Sequence, residues 1–296
     1  MLSTTDEPAR GRVRDLLGLP SPAELRPVAV RLEPLGRDGS VQWARVELDT
    51  ADGDTIPCFL LTPDHGTGTD VIAVHQHAGD FTSGKSEAAG RAGDPSLAYG
   101  VVLARSGARV VIPDLIGFEE RRRDWTDDPA ADERLDALFR VADGSSLQAK
   151  HSRDIATVTS WMIETSPADT ELGIVGHSLG GQVALFALAV DARLTRGVVS
   201  CGLGTLASFE DARIRHNPAW FVPGLTAAGD VPLVASAVDQ PVLVAAGRDD
   251  GLFPLAGVRR VLDAFRPGVA TTEVFDGGHA MPPRITEAAL RHLLST

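Results

Sequence analysis

The chain has 296 residues, 43% apolar and 23% charged, enough to bury a sizeable core in one large α/β domain or two small ones. A net charge of −12 argues against nucleic acid or an anionic membrane as the main partner. The two cysteines, Cys58 and Cys201, lie far apart in apolar surroundings, so they form neither a disulfide framework nor a zinc knuckle and fit a reducing compartment as free thiols. The stretch from Met1 to Arg14 is polar and charged, without the apolar run of a signal peptide. No segment is apolar over the length of a bilayer span, so the expected location is the cytoplasm.

Residues 1–40 are rich in Pro, Arg and Gly, with a short amphipathic piece at Val13 to Leu17, and are expected to form an N-terminal arm packed on a main domain over 41–296. Val41 to Asp49 alternates like a half-buried strand, and Asp52-Gly53-Asp54 turns the chain into a second strand, Thr55 to Thr62, giving an antiparallel edge hairpin. Asp70 to Val74 is a short buried strand ending in His75-Gln-His-Ala-Gly79. A helix over Leu97 to Ser106 and a strand over Ala108 to Pro113 follow. Residues 115–146 break the pattern with Glu119-Glu-Arg-Arg-Arg123 and a helical piece near Glu133 to Arg140, as an insertion over the sheet would. Leu147 to Glu164 is helical. Beyond residue 190 come strands at Leu194 to Ser200, Pro241 to Ala246 and Thr271 to Phe275, helices at Val258 to Phe265 and Ile285 to Leu294, and a second excursion over 202–236. Strands alternating with helices predict a mainly parallel sheet with helices on both faces, whose ligand site lies beyond the carboxyl ends of the strands.

The most informative stretch is Gly173-Ile-Val-Gly-His-Ser-Leu-Gly-Gly181, followed by the Ala/Leu-rich run Gln182 to Val190. It places the G-x-S-x-G pentapeptide Gly176–Gly180 between an apolar β-branched run and a buried helix, the context of a nucleophile elbow. Ser178 is the expected nucleophile, and the N–H of Leu179, first in the new helix, is an expected oxyanion donor. A serine hydroxyl needs a base, and the base needs an orienting acid. Of eight histidines, His279 stands out on the Gly-rich loop after the final strand. The preceding strand ends in two adjacent aspartates, Asp249 and Asp250, so the chain runs serine, acid, histidine.

On these residues the chain resembles the α/β-hydrolase-fold serine hydrolases, and within them the dienelactone-hydrolase-like and acetyl-xylan-esterase-like branch. The resemblance covers roughly residues 50–296 and rests on His75–Gly79, Gly176–Gly180, Gly247-Arg-Asp-Asp250 with Pro254, and Gly277-Gly-His279. It implies an α/β-hydrolase fold with partial lid insertions at about 115–146 and 202–236. It also implies a triad of Ser178, Asp250 (rather than Asp249) and His279, with a second oxyanion donor from His77 and Gln76 close behind. Dienelactone hydrolases carry cysteine at the elbow. Ser178 in its place favours general ester hydrolysis over dienelactone as substrate.

Other candidates are weighed on their residues. His75 and His77 form an H-x-H pair at a strand end, as some metal-dependent hydrolases begin a ligand set. His151 and His216 lie in unrelated segments and Gly79-Asp80 breaks one zinc family's pattern, so neither metal nor cofactor is expected. Glu119, in the charged run after a strand's carboxyl end, is a substrate-binding candidate, and so are His216 and Trp220; Phe221 lines a pocket with them or anchors the excursion. Lys85 and Glu87 read as an ion pair near the entrance. The expected function is cleavage of a carboxylic ester or lactone of a small-to-medium substrate through an acyl-enzyme. The same triad also serves acyl transfer, amide cleavage or C–C cleavage, and a silent fold used as a binding module is the reading from another class. The expected partner is a small molecule, not nucleic acid or a membrane, with homo-oligomer formation left open.

Overall fold

The computed structural model describes residues 9–294, so the reading of the extreme N-terminus over residues 1–8 lies outside the described residues. Nine strands form one sheet: β1 (Ala29–Asp38), β2 (Val41–Asp49), β3 (Thr55–Pro63), β4 (Thr69–Val74), β5 (Arg109–Pro113), β6 (Glu171–His177), β7 (Arg196–Ser200), β8 (Val242–Gly247) and β9 (Ala270–Phe275). Their spatial order is β1-β2-β3-β5-β4-β6-β7-β8-β9. The first three pair antiparallel, β3 meets β5 antiparallel, and every pair from β5 onward is parallel.

The parallel strands are apolar on both faces because helices cover both. Along β4, Ile72 and Val74 enter one core with Val183, Phe186 and Val244, while Val71 and Ala73 enter the other with Leu103, Leu243 and Ile285. That is the period of two expected of a strand buried from both sides. The helices Leu147–Thr165 and Leu179–Val190 fill the first layer, and Tyr99–Arg105 and Pro283–Leu294 the second. Among the described residues, no helix is long and apolar enough to cross a membrane.

Within the expected arm, the described residues 9–40 include a strand of the sheet. β1 pairs with β2 over Ala29–Asp38 and takes the edge position that the β2–β3 hairpin was expected to hold. Pro34, a bulge at Pro34/Gly36 and the absence of a buried face along β1 hide this strand from periodicity. An edge strand tolerates proline because one row of its N–H groups faces no partner.

Strand order decides where the site forms. The chain passes from β4 outward to β5 and then returns to β6 on the other side of β4. The connection leaving β4 therefore diverges from the one leaving its neighbour β6, and a crevice opens between them at the carboxyl edge.

Candidate active site

Ser178 stands where β6 ends and the Leu179–Val190 helix begins, with φ 55° and ψ −118°. A non-glycine residue in this region is strained, and the surroundings hold it there. Its N–H donates to Ser200 O at 2.8 Å, and its carbonyl accepts from Gln182 N at 2.9 Å. A Cβ on Gly176 would fall 2.1 Å from the carbonyl carbon of Gly180, and one on Gly180 would fall 2.0 Å from Val74 O. Both glycines are thus demanded by backbone contact across the turn, which presses the start of the helix onto the end of β4.

His279 is reached by a similarly close approach. A Cβ on Gly247 would lie 2.2 Å from Gly278 O, and Asp249 N donates to Gly277 O at 2.9 Å, so the loops after β8 and β9 run against each other. His279 Nδ1–H donates to Asp250 Oδ2 at 2.9 Å. The other carboxylate oxygen, Oδ1, accepts from Leu252 N at 2.8 Å and Phe253 N at 3.1 Å. Burial opposes ionisation of Asp250, but the hydrogen bond and charge of His279 and the two N–H donors outweigh it, and its carboxyl is held below the usual range. The His279 ring stacks on Phe253 at 5.6 Å.

Ser178 and His279 line one pocket of about 710 Å³ together with Gln76 and His77. Leu179 is the first residue of its helix, where an N–H has no partner within the helix. Both excursions contribute walls: Glu133 and Arg134 from the first, and Ile214, Arg215, His216 and Phe221 from the second. His216 turns its Nε2–H to Leu252 O at 2.8 Å, and burial lowers its pKa to about 4.

The paired histidines after β4 are occupied. His75 is buried, donates from Nδ1 to Gln76 O at 2.7 Å and accepts at Nε2 from Leu115 N at 3.0 Å. Burial lowers its pKa to about 4, in keeping with a neutral ring. His77 accepts from Gly79 N at Nδ1 and donates from Nε2 to Glu133. Both nitrogens of each ring are engaged in hydrogen bonds that tie the H-x-H pair into its surroundings. The nearest approach to a ligand set among the described residues is Cys201, Asp250 and His279, whose candidate atoms lie within 4.8 Å of one another. Burial pushes the Cys201 thiol up to about 12, and its Sγ–H reaches Ala280 O at 3.5 Å.

Two substrate-binding candidates lie elsewhere. Glu119 does not line the pocket: its carboxylate accepts from Lys85 Nζ at 2.7 Å, Ser86 Oγ at 2.7 Å, and the N–H groups of Gly84 and Ser86 at 3.0 Å. Lys85 is fully buried between Glu119, Glu120 and Asp114 rather than paired with Glu87, which instead accepts from Gln76 Nε2 at 3.1 Å. Burial raises Asp114 to about 7, with Lys85 opposing and Glu119 adding to the shift. Trp220 does not line the pocket either. It is fully buried against Phe209, His216 and Phe253, and its neighbour Phe221 reaches the pocket instead. Nothing in the local residue pattern marks Glu133 and Arg134 as pocket residues, because their contribution depends on how their helix crosses the sheet.

A strained serine at a strand–helix turn, with a histidine–aspartate pair on the following loops of a mainly parallel sheet, belongs to the class of α/β folds with a carboxyl-edge site. The chain has the α/β-hydrolase fold, and a family model described as alpha/beta hydrolase fold matches residues 90–236. Among solved structures it is similar to an acetyl xylan esterase from Paenibacillus sp. R4, at 16% identity over 98% of this chain and 95% of that one, with a TM-score of 0.68. It is also similar to acetyl xylan esterase 1 from Thermoanaerobacterium sp. JW/SL YS485, at 15% identity over 97% and 92%, TM-score 0.65. A 2,6-dihydroxy-pseudo-oxynicotine hydrolase aligns at 20% identity over 84% and 67%, TM-score 0.59. No curated protein sequence matches the chain. At these identities the likeness is one of fold.

Proposed function

We propose that the protein is a serine hydrolase that cleaves a carboxylic ester or lactone of a small-to-medium substrate. The observation that carries this reading is Ser178, held at φ 55° in the same pocket as a histidine whose Nδ1–H is bonded to a buried aspartate. The esterases among the structurally similar proteins favour an ester over an amide or a C–C bond.

In this mechanism Ser178 Oγ attacks the acyl carbonyl while His279 Nε2 takes its proton. The carbonyl oxygen becomes an oxyanion, met by the N–H of Leu179 and by those of His77 and Gln76 on the loop after β4. Collapse breaks the bond to the alcohol, which leaves with the proton from His279. Water then repeats the sequence on the acyl-enzyme and releases the acid. Asp250 stabilises the imidazolium and fixes the ring. The excursions over 115–146 and 202–236 act as a partial lid, and the chemistry calls on no cofactor. Two buried free thiols suit a reducing, cytoplasmic setting.

The test is turnover of a panel of short-chain p-nitrophenyl esters and lactones by the wild type and by Ser178→Ala. Turnover by the wild type and a loss of about 10³-fold or more in the variant are expected. A Ser178→Ala protein with the wild-type rate contradicts the assignment.

A further inference from the structure

The proposed reaction leaves a second cavity unused. A groove of about 220 Å³ adjoins the pocket that holds Ser178 and His279, and the two share Arg134, Pro218 and Phe221. Beyond that boundary its walls are Ala137, Leu138 and Val141 of the Pro129–Ala142 helix and Ser146 and Leu147 at the start of the next helix. Leu138 is 64% exposed, Phe221 59% and Val141 45%. Three large apolar side chains beside one another, continuous with a reaction pocket, keep apolar surface in water that a ligand would cover.

The two cavities differ in chemistry. Glu133, Arg134, Arg215 and His216 are among the many polar groups of the first. In the second the one charged residue is Arg134 at the boundary, a side chain that lays its methylene stem along apolar surface and keeps its guanidinium in water. Such a groove suits a hydrocarbon arm better than a sugar ring, since beyond Arg134 at the boundary its walls are almost entirely apolar.

We propose that this groove is a substrate subsite for the apolar arm of the ester, an alkyl or aryl chain that leaves the reacting carbonyl and passes Pro218 and Phe221 to reach Leu138 and Val141. The assignment rests on the ester-hydrolase reading above. It makes the preferred substrate an ester with one medium-length hydrocarbon chain rather than an acetylated carbohydrate. Phe221 and Leu138 then set chain-length specificity.

The test uses two series on the full chain: p-nitrophenyl esters from acetate to octanoate, and acetates of alcohols from ethyl to octyl. The wild type is expected to gain about fourfold in kcat/KM per methylene along one series, until the groove is full. The responding series identifies the arm as acyl or alkoxy. In the Leu138→Asn/Val141→Asn double variant the octanoate-to-acetate (or octyl-to-ethyl) ratio is expected to collapse toward one. Both positions are exposed, and a thermal melt checks that the variant folds. A flat or falling profile in both series with clear acetate turnover overturns the subsite and leaves the ester-hydrolase reading standing. So does a variant that keeps the wild-type ratio, or a wild-type dimer that the double substitution dissociates, because a second copy then covers the groove. If neither series is hydrolysed at all, the ester-hydrolase reading fails and the subsite falls with it.

Discussion

His77 and Glu133 tie the loop after β4 to the helix that covers it: the imidazole Nε2 lies 3.0 Å from both carboxylate oxygens. With Nδ1 accepting from Gly79 N at 2.9 Å, the ring proton sits on Nε2 and is donated across the pocket. The loop that would supply the second oxyanion donor is therefore braced from the 115–146 excursion. Removing the brace with Glu133→Ala is expected to lower kcat about tenfold, equivalent to about 1.4 kcal/mol of transition-state stabilisation, with KM less affected. Glu133→Gln keeps an acceptor and is expected to restore most of the loss. Steady-state kinetics on a short ester checks both, and a Glu133→Ala enzyme with wild-type kcat removes the brace from the account.

The two aspartates after β8 separate cleanly in space. Asp250 is buried and bonded to His279, whereas Asp249 is exposed and contributes its backbone N–H to the loop. Asp250→Asn is expected to cost about 10³–10⁴-fold in kcat, as loss of the orienting acid does in other triads, with little change in fold. Asp249→Asn is expected to stay within about twofold of the wild type. Equal effects from the two substitutions would place the acid elsewhere.

The elbow also makes a stability prediction. A Cβ at position 180 would meet Val74 O at 2.0 Å, and backbone on both sides blocks relief. Gly180→Ala is expected to destabilise by about 3 kcal/mol or more, the upper end of overpacking costs, and to lower the expression of soluble protein. Chemical denaturation of the variant measures it. A loss under about 1 kcal/mol would mean that the turn relaxes more easily than its contacts suggest.

Acid sensitivity follows from the buried histidines. Burial lowers His75 and His216 to about 4, His177 to about 3 with the His279 charge adding to the effect, and His151 well below its ordinary value. Each has a folded pKa below its unfolded one near 6.5, so unfolding takes up protons in that window. Asp114, raised to about 7, acts in the opposite direction, releasing one proton on unfolding. The histidines outnumber it. Stability is therefore expected to be fully present above about pH 6.5 and to fall as the pH drops toward 4, by about 1.4 kcal/mol per pH unit for each net proton taken up. Denaturant midpoints at pH 7, 6 and 5 check the slope, and stability that is flat or rising on acidification contradicts it.

Much of this arrangement was legible in the residues because it is local. The elbow, the Asp250 turn and the His279 loop are short segments at strand ends, and their spacing along the chain reports strand, turn and helix directly. β1 was not legible, since Pro34 and its alternating charges suit an edge that no other element covers. Glu119 reads as a pocket residue because its run follows a strand's carboxyl end, whereas Lys85 from a distant loop draws its carboxylate into a network away from the pocket. Trp220 and Phe221 show how fine the error can be. The short turn over Pro218–Trp220 buries one aromatic and presents the next to the pocket, and composition alone cannot order them.

The central claim is that Ser178 is an activated nucleophile, and intact mass after treatment with a fluorophosphonate tests it most directly. A single covalent adduct is expected on the wild type and none on Ser178→Ala, with His279→Ala labelling at least about 10²-fold more slowly as the base is lost. An adduct that persists on Ser178→Ala, or a folded wild type that hydrolyses esters without ever labelling, would contradict the account.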